Sequence, residues 1–502
     1  MFNLPAVILI YVLCLPLAIF SGYLLATPDS FMSVGTIGMV GALLTFPLLL
    51  KWHHALLILT WNSFLIAFVL PGQPGLGICL AIVSLGVTVL NRTMGKSKGV
   101  FWLTPTVLPL VFLTAVIAFT ILASGKFGSR ALGSEYYGGK RYITLVGAII
   151  GFFAIAAQAV PERHANRMAQ LFFASGITAV ISDLIYAMGP SFYFLFVLFN
   201  SGVASLQAQS QETVLRLSGI SSASLALCYF LLCRYGIEGL FRLTCPWRFL
   251  GFAGAIAASL FGGFRSSLII LALMMVSQFY FEGLFRTRFF PLFVGGSILT
   301  FAFLIPSVDR LPLAVQRSLS FLPINVDHRA RSDALGTLDW RLQMWKTVLP
   351  DVPKYLLIGK GFGYDGTDYM LTQEAVHRGL YTAYEDTLVS GNYHNGWLTI
   401  LIPFGLWGLI GFGWFCWAGW KVLYANYRFG DPSLKNTNTF LLAYFAARLV
   451  FYLGFYGQFD LDFVVFTGTV ALSLSLNRGV RQPSTETSWE DRRVAVPAPA
   501  YA

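Results

Sequence analysis

The sequence predicts an all-α polytopic integral membrane protein, on three observations. Of its 502 residues, 56% are hydrophobic and only 11% charged, where a soluble domain carries about a quarter charged residues. Apolar runs recur that meet the roughly 17–25 residues needed to cross a hydrocarbon core of about 30 Å. Lysine and arginine concentrate in alternate connecting segments, as the positive-inside rule requires of a chain that weaves through a bilayer. The net charge of +11 is thereby accounted for by basic cytoplasmic loops, and no nucleic-acid partner is inferred.

Taken in order, the runs predict about 14 transmembrane helices. They lie near 4–26, 32–50, 54–70, 75–90, 101–124, 143–160, 168–188, 219–233, 248–264, 266–281, 289–305, 395–420, 437–457 and 462–477. The first is too long and too lightly flanked by basic residues for a cleaved signal peptide. Ser191–Phe199 is too short to span and suits a re-entrant or interfacial piece. Lys51, Arg92, Arg163, Arg234, Arg286 and Lys421, with their basic neighbours, fall on one side together with Arg478 and Arg481. That side is the cytoplasm, with both termini. Four regions follow: a bundle over 1–305, an extracytoplasmic loop over 306–393 holding short amphipathic helices, a second group of spans over 394–477, and a cytoplasmic tail over 478–502. Cys14, Cys79, Cys228, Cys233, Cys245 and Cys416 all lie outside the long loop, so neither a disulfide framework nor a metal-ligand spacing is indicated.

The chemistry concentrates on the outer face. One short outer segment breaks the charge rule, with Lys126, Arg130, Lys140 and Arg141 against Glu135 alone. It is either a tolerated exception or a surface facing an anion such as a lipid pyrophosphate, which arginine and lysine bind through charge-assisted hydrogen bonds. Arg265, in Gly262-Gly263-Phe264-Arg265, sits between two apolar runs, where an unpaired guanidinium in lipid is costly. A snorkelling arginine is the alternative. Arg216 precedes a span and is a second anion-binding candidate or an interfacial anchor. Arg341, in Asp339-Trp340-Arg341-Leu342, lies on a predicted amphipathic surface helix, where it binds substrate or pairs with Asp339. His394 stands at the mouth of the twelfth span. An imidazole with an ordinary pKa near 6.5 suits a general base there, and a helix-start hydrogen-bonding role is the alternative.

Other signals carry less. Gly359-Lys360-Gly361-Phe362-Gly363 lacks the strand–turn–helix context of a dinucleotide site. No Asp-x-Asp pair lies on the outer face, and Glu385-Asp386 is a weak metal-site candidate, so no metal or other cofactor is inferred. Arg448, deep in the thirteenth span, needs a partner, for which Asp183 or a bound ligand are the candidates.

Together these residues resemble the O-antigen ligase and O-antigen polymerase family of bacterial envelope glycan transferases. The resemblance rests on RLSG at Arg216, GGFRSS at Arg265, DWRLQMWKTVLPDVPKYLLIGKGFG within the long loop, and HNGWLTILIPFGLWGLIGF from His394. It covers residues 210–420, while the first 200 agree only in hydropathy. It implies a multi-pass inner-membrane enzyme with its site facing the periplasm. The implied donor is an undecaprenyl-pyrophosphate-linked glycan, and the implied acceptor is a lipid A-core saccharide or a second lipid-linked glycan. It implies that Arg216, Arg265 and Arg341 bind the pyrophosphate while His394 deprotonates the acceptor. Direct displacement would be metal-independent and would invert the anomeric centre. A polysaccharide polymerase is the rival of like chemistry. A flippase or transporter is the rival of another class, although no internal repeat of the transporter kind is present.

Overall fold

The computed structural model describes residues 16, 18–19, 22, 31–68, 70–95, 104–129, 132–209, 214–242, 244–382 and 384–482. Most of the span expected at 4–26, the tail beyond 482 and Arg130 lie outside them. The helices are α1 (Phe31–Thr60), α2 (Leu76–Thr93), α3 (Val107–Ser124), α4 (Gly139–Ala156), α5 (Glu162–Ala174), α6 (Ala179–Met188), α7 (Ser201–Gln209), α8 (Ser218–Leu240), α9 (Pro246–Ser259), α10 (Arg265–Phe281) and α11 (Phe289–Leu304). The polar segment then folds as α12 (Leu313–Leu319), α13 (His328–Val348), α14 (Val352–Tyr355), α15 (Gly366–His377) and α16 (Glu385–Ser390). The chain ends in α17 (Leu398–Phe429), α18 (Lys435–Gly454) and α19 (Phe459–Asn477).

Among the described residues, seven helical segments are long and apolar enough to cross a membrane: α2, α3, α4, the continuous run Glu162–Met188, α8, α17 and α19. This is half the expected number. Part of the difference is that the spans expected at 32–50 and 54–70 share the single helix α1. Lys51-Trp52-His53-His54 interrupts the hydropathy but contains no glycine or proline to turn the backbone, so the helix runs through it. Residues 61–70 then form turns and isolated bridges, Leu65 to Phe199 and Ile66 to Gly75. The segment over 191–199 is a 3-10 turn, Pro190–Val197, with no buried residue.

The bundle core is a continuous apolar cluster in which α19, almost wholly buried, packs along α4. Trp61 wedges between them and donates its indole N–H to the Val464 carbonyl at 3.2 Å. The charged groups inside the bundle find partners for part of their polar atoms, while Asp183 Oδ1, Arg448 Nε and the Tyr229 hydroxyl have none among the described residues. Arg448 donates to Asp462 Oδ1 at 2.9 Å, while Asp462 Oδ2 accepts the Gln458 N–H. Asp183 instead accepts the Ile220 N–H at 2.9 Å, so it is not the partner of Arg448.

The polar segment is pinned to the bundle by a break in α17. Pro403 and Gly405, the latter at φ +62°, interrupt that helix. The carbonyls so released are re-used: Ile402 accepts the Lys360 N–H at 2.8 Å, Pro403 accepts the Gly361 N–H at 3.0 Å, and Leu406 N–H donates back to Leu356 at 2.7 Å. The glycines of the 359–363 run are there for contact. A Cβ on Gly359 would fall 2.0 Å from the Pro403 carbonyl oxygen, and one on Gly363 would fall 1.9 Å from that of Lys126. Beyond Gly363, strand β2 (Tyr364–Asp365) pairs antiparallel with β1 (Tyr136–Tyr137) of the short basic segment. The two polar segments, more than 200 residues apart, are thus one surface.

Candidate functional site

Helix α13 organises the site. It starts at Asp327, whose side chain caps it by accepting the Arg329 N–H at 2.8 Å. Asp333, Thr337, Trp340, Arg341, Met344 and Val348 recur every three or four residues and so share one face. Met344 and Val348 bury that face against Tyr393, Leu398 and Ile402, and the polar members of the stripe come to lie over the ends of α8, α10 and α12.

Asp333 gathers two arginines. Its Oδ2 accepts from Arg216 at 2.7 Å and from the Nε of Arg317. Arg317, almost fully buried on α12, also donates to the carbonyl of Gly263 and, at 3.0 Å, to Thr337 Oγ1. Gly263 turns at φ +66°, and a Cβ there would lie 3.5 Å from the side chains of both Arg216 and Arg317. Two residues on, Arg265 begins α10 and donates to the Ala334 carbonyl at 2.8 Å. A cation at a helix N-terminus opposes the helix dipole, whereas an anion bound there is favoured by it. Arg341 lies next along α13, its guanidinium 5.5 Å from the Tyr456 ring centroid. Its Nε is buried and has no hydrogen-bond partner among the described residues. The surface ion pair with Asp339 considered above is not formed.

Four guanidiniums and one carboxylate leave three positive charges in this cluster, and the electrostatics follow. Burial lowers the pKa of Arg317, and its neighbour Arg216 adds to that. Burial also lowers Arg341, with Arg265 contributing. Burial pulls the Asp333 carboxyl upward, but Arg317 and Arg216 outweigh it and hold the group below the usual carboxylate range. A net positive cluster of this kind is electrostatically suited to an anion.

His394 completes it. Its ring centroid lies 5.4 Å from that of Trp340 and 5.3 Å from that of Tyr456. The backbone is in the left-handed region at φ +50°, which is uncommon outside glycine although histidine tolerates it better than most residues. The neighbours hold it there. Trp345 donates to the Tyr393 carbonyl at 2.7 Å, Asn395 Oδ1 caps α17 by accepting the Trp397 N–H at 3.0 Å, and Tyr452 donates to the Gly396 carbonyl at 2.8 Å. Burial first, then Arg341, lowers the imidazole to a pKa of about 4. It is neutral at physiological pH. Its Nδ1 is buried with no partner among the described residues, so one ring nitrogen has unused hydrogen-bonding capacity.

The fold thus brings Arg216, Arg265, Arg341 and His394 into one cluster. Arg317, Asp333, Trp340 and Tyr456 join them without having been singled out. The signal for Arg317 was present: it is the only charged residue between Leu311 and Asp327. The basic segment stands apart. Arg141 is committed to structure, donating to Asp460 at 3.0 and 3.1 Å and to the Ser390 and Gly391 carbonyls at 3.2 Å, and stacking 3.9 Å from the Phe362 centroid. Lys140 is exposed, and Lys126 is exposed with its ammonium 5.9 Å from the Tyr136 centroid. Among the described residues no three His, Cys, Asp or Glu side chains group as metal ligands.

Compared with known proteins, residues 215–413 match the family model described as O-antigen ligase. The match includes Arg216, Arg265, Arg317, Asp333, Arg341 and His394 and leaves out the basic segment. No curated protein matches the chain.

Proposed function

Residues 215–413 belong to the O-antigen ligase family, and on that premise we propose that the chain is a membrane glycosyltransferase of the ligase type. It takes a glycan from undecaprenyl pyrophosphate and attaches it to a saccharide hydroxyl of lipid A-core at the periplasmic face of the inner membrane. The observation that carries this reading is the arginine cluster ending at a neutral, buried histidine.

The reaction needs two things from the protein. As the acceptor oxygen forms its bond to the anomeric carbon, the bond from that carbon to the pyrophosphate oxygen breaks and the electron pair leaves with polyprenyl pyrophosphate. Arg216, Arg265 and Arg341 are the donors fixed to meet that charge, with the buried Arg317 holding Asp333 and the Gly263 turn beneath them, and fixed donors contribute most when the charge develops in a water-poor site. The acceptor hydroxyl must also lose its proton, and His394 takes it. With a pKa of about 4 in the free enzyme the imidazole is a weak base. A bound pyrophosphate beside Arg341 offsets the like charge that depresses it, which strengthens the base once donor is in place. Attack opposite the leaving group inverts the anomeric centre, and the guanidiniums occupy the role a divalent cation has elsewhere.

Deletion of the gene tests this reading. The expected envelope carries unmodified core, with polymerised glycan retained on the lipid carrier. A core bearing one repeat unit would instead indicate polymerase activity, and unchanged wild-type glycan on the core would overturn the proposal.

A further inference from the structure

Between the basic segment and the long polar segment lies a cavity of about 790 Å3 that the chemistry above does not use. One wall is aromatic. Tyr137 on β1 and Tyr364 on β2 meet edge-on at 5.9 Å between centroids, and Tyr369 on α15 continues the wall 5.4 Å from Tyr364. Asn392 and Gln458 add side-chain amides. The Oδ1 of Asn392 is buried and has no partner among the described residues, an arrangement that a ligand hydroxyl would relieve. Lys140 contributes one exposed cation, because the charge of Arg141 is matched by Asp460.

That lining is wrong for a pyrophosphate, which calls for converging cations, and wrong for a polyprenyl chain, which calls for apolar walls. It suits a saccharide. Sugar rings present C–H faces that lie on aromatic rings and a rim of hydroxyls that both donate and accept, as side-chain amides do. Position adds to the argument. Asn392 is two residues from His394, and Gln458 is two residues from Tyr456, whose ring packs on His394. Two steps of 3.8 Å per residue put those Cα atoms within about 7.6 Å of each other, roughly the length of one sugar residue. None of Arg216, Arg265, Arg317 or Arg341 lines the cavity. His394 does not itself line the cavity, but it stands two residues from Asn392, which does, while its ring packs on Trp340 of the arginine cluster.

We propose, resting on the transferase reading, that this cavity is the acceptor subsite, holding the sugars next to the acceptor hydroxyl against Tyr364 and Tyr369 with Asn392 and Gln458 on their hydroxyls. Kinetics in proteoliposomes test it. Tyr369→Ala raises the acceptor KM about tenfold, which corresponds to about 1.4 kcal/mol, while donor KM stays within about twofold. Tyr369→Phe, which keeps the ring, stays near wild type. An unchanged acceptor KM in Tyr369→Ala, or a raised donor KM, overturns the subsite.

A second measurement needs no turnover and reads the cavity from a reporter placed on its lining. Lys140→Cys, in a background freed of the native cysteines, is labelled with an impermeant maleimide. The probe ligand is core oligosaccharide released by mild acid from the deletion strain, and it slows labelling at least about threefold, whereas inorganic pyrophosphate at equal concentration does not. Protection by pyrophosphate alone, or by neither, overturns the proposal. Oligosaccharide protection without any glycan transfer by the wild-type protein would keep the subsite and sink the transferase reading instead.

Discussion

Arg341→Gln separates two roles that the geometry assigns to one guanidinium. Arg341 is a charged neighbour that depresses His394, and in the proposed mechanism it is also one of the guanidiniums that meet the pyrophosphate. In the wild type, burial and Arg341 together take the imidazole from 6.5 to about 4, with burial the larger cause. Removing the charge therefore returns the group upward by less than half of that interval. The direction is fixed: a histidine relieved of a cation holds its proton to higher pH. Free-enzyme kcat/KM reports the pKa of the essential base, so its acidic limb lies near 4 in the wild type and moves to higher pH in Arg341→Gln. The plateau falls as well, by about 10²–10³-fold, as is typical when one donor to a developing oxyanion is removed. The assay is transfer of labelled lipid-linked glycan in proteoliposomes from pH 3.5 to 8, with the histidine followed by NMR in the same protein. A limb that stays put or moves to lower pH would refute the placement of His394 beside Arg341, whatever the plateau does.

Three further outcomes follow from the same geometry. Arg265→Lys keeps the charge but not the planar fork, which donates to the Ala334 carbonyl and in the proposed mechanism also to the pyrophosphate, so steady-state kinetics should give a loss of about tenfold or more, seen first in donor KM. Cysteine placed at the exposed Ser332 should react with an impermeant maleimide in intact spheroplasts, and labelling only after lysis would reverse the orientation of the whole site. Asp462→Asn leaves Arg448 buried without its counter-charge, a change that costs about 3–5 kcal/mol when one member of a buried pair is removed. Thermal unfolding in detergent should move down accordingly.

What the sequence disclosed and what it withheld divide along physical lines. Hydropathy reports burial in lipid, so the long apolar helices from Leu76 to Asn477 were legible in place, while their ends were less so: α17, expected to stop at 420, runs on to Phe429. It could not report where backbone turns, and α1 runs on past Pro47 and through the charged stretch at Lys51 as one helix. Arg216, Arg265, Arg341 and His394 were legible because each is a polar exception beside an apolar run. Asp333 was not, and Arg317, an isolated charge between Leu311 and Asp327, was passed over, because what they do comes from the Gly263 turn and the face of α13, which only the fold brings together. The same reason explains the basic segment. Counting charges along 125–142 leaves Arg141 in excess, yet its partner Asp460 is 319 residues away. The glycines at 359–363, unpromising as a nucleotide motif, prove to be contact points against Pro403 and Lys126.

The central claim is that the arginine cluster and His394 transfer a glycan. Purified protein in proteoliposomes, given radiolabelled undecaprenyl-pyrophosphate-linked glycan, core acceptor and saturating EDTA, tests it most directly. The account predicts a new glycosidic product of inverted anomeric configuration with release of undecaprenyl pyrophosphate, and a loss of about 10²–10⁴-fold in His394→Gln with donor still bound. Labelled glycolipid moved across the bilayer unchanged, or product formed only when magnesium or manganese is restored, would contradict it.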